Sequence, residues 1–146
     1  MARHFIYVLL AIKILLVVWG VFGLIEYFKP SVAFDLQDAN FPPGVQFLHW
    51  LLILLTGSIF IFGFVRRWKH TPYVTMTMYA TLATLCFVET VDFNSFGGGT
   101  IRFFYMTAEV TLYVVLATYL VRSKKVKERF GDKKEENDLG AAANNL

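Results

Sequence analysis

The sequence predicts an all-α integral membrane protein, a four-transmembrane-helix bundle with its N- and C-termini on the cytoplasmic side. Three observations lead there. Four long apolar runs each approach the roughly 20 residues that a helix needs to cross a bilayer. Charged residues are only 17% of the chain and its mean hydropathy is +0.52, whereas a soluble domain carries about a quarter charged residues. The lysines and arginines gather at one set of run ends, which sets orientation in a bilayer. None of the runs alternates as a membrane barrel strand does, and helices satisfy their own backbone groups in lipid.

The first span covers about 5–27, "FIYVLLAIKILLVVWGVFGLIEY". Arg3 precedes it, and Ser31-Val32-Ala33 loosely fits a small-x-small cleavage site. The apolar core exceeds the 7–15 residues of a signal peptide, so the run reads as a retained helix. Within it, Lys13 is placed to snorkel towards the inner headgroups. Trp19 and Glu26 are seven apart, with Gly20 and Gly23 beside them to allow close helix contact. "FPPG" at 41–44 cannot continue a helix and introduces the second span, about 46–65, "QFLHWLLILLTGSIFIFGFV". His49, Thr56 and Gly63 recur every seventh residue and give this span a small or polar stripe. Trp50 and Trp68 are expected in interfacial belts.

The third span covers about 72–92, with Thr71 as N-cap and Pro72 at the first helical position. It ends in "CFVETVDF", where Cys86, Glu89 and Asp92 recur every third residue as one stripe. The single cysteine, Cys86, reads as a small buried hydrophobe; no intrachain disulfide and no Cys/His zinc spacing exist. "SFGGGT" at 95–100 is a turn, with Thr100 a cap for the fourth span at about 101–121. No GxxxxGK[ST] follows its glycines, so a phosphate loop is excluded. Residues 1–130 thus form one transmembrane domain. The polar C-terminal tail, 131–146, is expected to be disordered.

Arg66, Arg67 and Lys69 fill the second connection, and Arg122, Lys124, Lys125, Lys127 and Arg129 follow the fourth span. Both termini are therefore assigned to the cytoplasmic side, and the connections near 28–45 and 93–100 to the outer side. The basic stretch at 122–129 is expected to meet anionic headgroups. No Arg- and Ser-rich transit peptide is present, which favours a bacterial or archaeal plasma membrane. Nothing in the composition suggests a nucleic-acid partner.

With this orientation every span brings an ionisable group to the outer half: Glu26, His49, Glu89 with Asp92, and Arg102 with Glu109. Arg102 and Glu109 are seven apart and share a face with Tyr105 and Met106. At 1.5 Å per residue Glu109 lies roughly 12 Å below the start of its span. Charged groups in spans face the protein interior, so the polar stripes are expected to converge at the outer mouth. One reading is structural: Arg102 pairs with Glu89, Asp92 or Glu109, while His49 and Glu26 meet interfacial water. A second is a metal ion on the carboxylate/His cluster. It lacks the paired Glu-x-x-His motifs of carboxylate-bridged metal bundles, and its nearest equivalent is Glu89-x-x-Asp92. A third is an outward-opening site for a proton, ion or quinone-type small molecule, served by Glu109 and Tyr105. Haem is disfavoured, because only His49 lies at a membrane depth suited to ligation.

Two function classes follow. The first is a non-catalytic accessory or assembly subunit of a larger membrane complex, of respiratory, photosynthetic or monooxygenase type, with other membrane subunits as partners. No nucleophile–base pair or cofactor fingerprint argues for catalysis by this chain, and 17% aromatic residues are many for four helices. The second is a self-contained outer-facing site, in a transporter or membrane enzyme.

Overall fold

A computed structural model describes residues 2–32, 34, 36, 42–93 and 100–131. Helix α1 spans Ala2–Phe28, α2 Pro43–Arg66, α3 Thr71–Val88, α4 Thr100–Arg122 and α5 Lys124–Phe130. A π-helical turn, Glu89–Phe93, extends α3. Four of the helices are long and apolar enough to cross a membrane: Phe5–Phe28, Pro43–Arg66, Thr71–Asp92 and Ile101–Arg122. The predicted tail and the "SFGGGT" turn lie outside the described residues, apart from Gly131 and the first residue of α4.

Consecutive helices pack as neighbours: α1 on α2, α2 on α3, α3 on α4. Among the described residues no comparable seam joins α1 to α4. They meet through Phe5 and Tyr119, whose rings lie 4.6 Å apart edge to face. The result is bundle-like, closed at the end holding Arg66–Lys69 and α5, here the basic end. The opposite end, where α1 finishes and α2 begins, is the acidic end.

Close approach of the helices follows from small residues. A Cβ on Gly23 would overlap the Trp50 indole, and one on Gly63 would overlap Thr71. Trp50 is therefore a core residue against α1, edge to face with Trp19 at 5.8 Å, and not the belt residue its position suggested. Trp68 is exposed. The buried stripe of α1 runs through Ile6, Leu9, Lys13, Gly20, Gly23 and Glu26, while Trp19 stands at its exposed edge.

Two local readings need correction. Pro72 stands at the start of α3 as expected, but α2 already begins at Pro43, inside the "FPPG" stretch expected to precede it, and Thr71 is not an N-cap. The preceding His70 occupies that position without a side-chain bond, and the Thr71 hydroxyl instead donates to the Trp68 carbonyl at 2.6 Å. α2 stops at Arg67, whose left-handed φ of 52° turns its N–H and that of Trp68 back to the Gly63 carbonyl. The basic stretch after α4 is itself helical. α5 turns under the basic end and inserts Val126 and Phe130 into the core, where Phe130 meets Phe60 and Phe64 at 6.4 and 6.2 Å. The Arg129 guanidinium lies over the Phe64 ring and donates to the Phe64 carbonyl at 3.1 Å.

Candidate functional site: a polar line from the acidic end to the centre

His49 sits in the second turn of α2 and Glu89 begins the π turn after α3. The packing of α2 on α3 brings His49 Nδ1 to 2.9 Å from Glu89 Oε1 and 3.2 Å from Oε2. Which of the two donates is set by the imidazole tautomer, and Nε2 remains on the far side of the ring. Both side chains are partly accessible, His49 at 32% and Glu89 at 13%. The pair thus stands between the apolar core and the acidic end.

Asp92 does not join it. The i→i+5 bonding of the π turn adds a residue to the helical repeat, so positions 89 and 92 no longer stack. Asp92 is exposed, while Cys86 is buried and Thr90 is buried beside it on the helix. The predicted stripe of every third residue is broken by this widening. π turns are frequent at functional sites.

Glu109 is the deeper acceptor. Tyr113 O–H donates to Glu109 Oε1 at 2.6 Å, and Cys86 Sγ–H donates to Oε2 at 3.2 Å across the α3–α4 seam. The cysteine expected to be only a small apolar filler therefore serves as a donor. The Tyr113 ring in turn stacks on Tyr79 of α3, with centroids 5.5 Å apart and planes 19° apart. On the other face of the bundle, Lys13 Nζ lies 4.4 Å from the Tyr79 ring centroid. Lys13 is only 4% exposed. Its ammonium rests on the Tyr79 π face inside the bundle rather than extending outward along α1. Among the described residues, the buried Tyr79 hydroxyl and the buried Thr75 Oγ1 one turn below have no hydrogen-bond partner.

The remaining predicted residues have other places. Glu26 is 5% exposed, and its Oε2 accepts the Leu36 N–H at 3.0 Å. With the Phe22–Phe34 ring contact at 5.1 Å, this ties the segment after α1 back onto the helix. Glu26 is thus a buried backbone clasp, not a group left to interfacial water. Arg102 is half-buried, with its guanidinium 4.9 Å from the Phe103 ring centroid. Met106, Glu109 and Tyr113 follow Arg102 on the half-buried face of α4, and Tyr105 is exposed away from it. Tyr113, four residues after Glu109, takes the part expected of Tyr105. That i,i+4 spacing was present in the sequence, as was the i,i+3 spacing of Cys86 and Glu89.

No group of three or more His, Cys, Asp or Glu side chains among the described residues is arranged to hold a metal ion.

No family model, curated protein or solved structure matches this chain.

Function is therefore argued from the site alone. Its components are a solvent-reachable imidazole–carboxylate pair, a half-buried carboxylate with thiol and phenol donors, and a phenol and an amine at the centre. All are groups that exchange protons.

Proposed function

We propose that this chain is integral to a membrane, with both ends of the chain on the cytoplasmic side, and acts as a non-catalytic accessory or assembly subunit of a larger membrane complex. The observation that carries this reading is the state of α4. Only 6% of its apolar window is covered by the rest of the chain, against 39% for α2. The uncovered face includes Thr107, Ala108 and Thr111, and α3 leaves Thr77, Ala80, Thr81 and Thr84 uncovered as well. Thr77, Thr81, Thr84 and Thr107 donate to carbonyls one turn back, so their hydroxyls are satisfied in an apolar setting. In a bilayer, where lipid is as apolar as leucine, small residues on a helix face favour close contact with another helix.

The test is isolation of the full chain in mild detergent with identification of whatever co-purifies. Partner chains in fixed ratio are expected. Ala108→Phe, at an exposed position, should release them without changing the thermal transition of the chain. A monomer with no companion, indifferent to Ala108→Phe, would refute the subunit reading.

A second reading, a self-contained proton-binding site opening outward, is favoured by the His49–Glu89 pair and the Cys86–Glu109–Tyr113 contacts. It predicts that Glu109→Gln and Glu89→Gln abolish proton uptake by the reconstituted protein while helical content is kept. A metal version of this site would instead require one equivalent of metal, lost together from Glu109→Gln, Glu89→Gln and His49→Ala.

A further inference from the structure

At the basic end a groove of about 680 Å³ opens between the last turn of α2, the turn that follows it, and α5. Arg66, Arg67, Trp68 and Lys69 line one side, and Phe62 and Phe130 supply apolar walls. No acidic side chain is among the described residues that line it. Cations after a helix C-terminus are common for dipole reasons alone. What exceeds that explanation is the placing of Arg66 and Arg67 beside the apolar side chains of Phe62 and Phe130 in one open groove. The left-handed turn at Arg67 folds the chain back under α2, and Phe130, held by Phe60 and Phe64, makes α5 the opposite wall. Arg129 belongs to Phe64 and is not among the lining residues. Immediately along α2, Phe62 and Val65 are strongly exposed apolar side chains.

We propose that this groove holds the phosphodiester headgroup of an anionic phospholipid, with an acyl chain running along Phe62 and Val65. Arginine forks match phosphate oxygens, and the adjoining aromatic and aliphatic surface suits the glycerol and first methylenes. The inference rests on the reading that the four long helices span a bilayer. It goes further by naming a lipid class and by locating it at 66–69 rather than along 122–129. A bound lipid would also brace α5 against the turn after α2.

The experiment uses the full chain in detergent, titrated with phosphatidylglycerol or phosphatidylcholine and read by native mass spectrometry. One phosphatidylglycerol is expected to bind in preference to phosphatidylcholine. Each basic residue near an anionic surface contributes about fivefold, so Arg66→Gln with Arg67→Gln should weaken binding about 30-fold. Lys124→Gln with Lys127→Gln, on the exposed face of α5, should weaken it far less. Phe62→Ser, exposed and harmless to the core, should weaken binding of the long-chain lipid but not of a short-chain analogue. Equal binding of both lipids, or equal loss from the two double variants, would mean diffuse surface attraction and overturn the site. Displacement of the lipid by millimolar inorganic phosphate would make the occupant a free anion and equally overturn it. Retention of the chain in membranes after alkaline extraction checks the spanning separately, so a failure of that reading is told apart from a failure of the lipid site.

Discussion

Glu109 accepts from two side chains at once, one on its own helix and one across the α3–α4 seam, and removing each donor measures what the cluster contributes. Tyr113→Phe deletes the 2.6 Å bond and leaves the ring stacked on Tyr79. A hydrogen bond to a charged acceptor is worth about 1.5–3 kcal/mol in a soluble protein. Side-chain hydrogen bonds between membrane helices average about 0.6 and reach about 1.7 kcal/mol. Tyr113 is half-buried and its bond is short, so a cost of about 1–1.5 kcal/mol is expected within those limits. Glu109→Gln keeps an acceptor for Tyr113 but loses the charge, at about 1 kcal/mol. If the two groups act on each other, the double variant should fall short of the sum of the singles by about 0.5–1 kcal/mol. The assay is reversible unfolding in mixed micelles, followed by helical circular dichroism. Additivity within about 0.3 kcal/mol would show that the carboxylate gives Tyr113 nothing beyond what an amide acceptor supplies, and would refute the reasoning. A function lost in Glu109→Gln at near-normal stability would mark the group as titrating rather than structural.

The other predictions concern separate parts of the molecule. A reporter fused after Arg129 should be cytoplasmic and one inserted at Asp38 external; labelling of 66–70 from outside would reverse the assignment. Arg102→Ala should cost about 1–3 kcal/mol, between the limits for exposed and buried pairs, and no change in stability or assembly would mean that the guanidinium only meets water. Gly63→Ala forces a methyl group into Thr71 and should cost about 1–3 kcal/mol, part of it recovered by adding Thr71→Ala; a silent Gly63→Ala would contradict the close α2–α3 approach. Phe130→Ala removes the wedge between Phe60 and Phe64 and should lower stability by about 3–5 kcal/mol, read in the same unfolding assay; a change under about 1 kcal/mol would show α5 to be peripheral.

The number and approximate extent of the long helices were legible in the sequence by itself. Apolar runs of this length have few other stable forms, and Pro72 marks a helix start by stereochemistry that needs no partner, whereas the start of α2 at Pro43 was placed three residues too late. The need of Glu109 for partners was legible too, since a carboxylate far from either end must find donors. Only the tertiary structure decided who those donors are. Cys86 and Glu109 are 23 residues apart and His49 and Glu89 are 40 apart, and no periodicity relates positions on different helices. The rotation of each helix is set by close approach, as where Gly23 admits Trp50 and Gly63 admits Thr71, and that rotation carried Trp50 inward and Tyr105 outward. The π turn moved Asp92 off the stripe that ideal helical spacing had assigned to it. Lys13 shows the same division: its cost in an apolar span was evident from sequence, but the Tyr79 face that accommodates it is brought beside Lys13 only by the folded bundle.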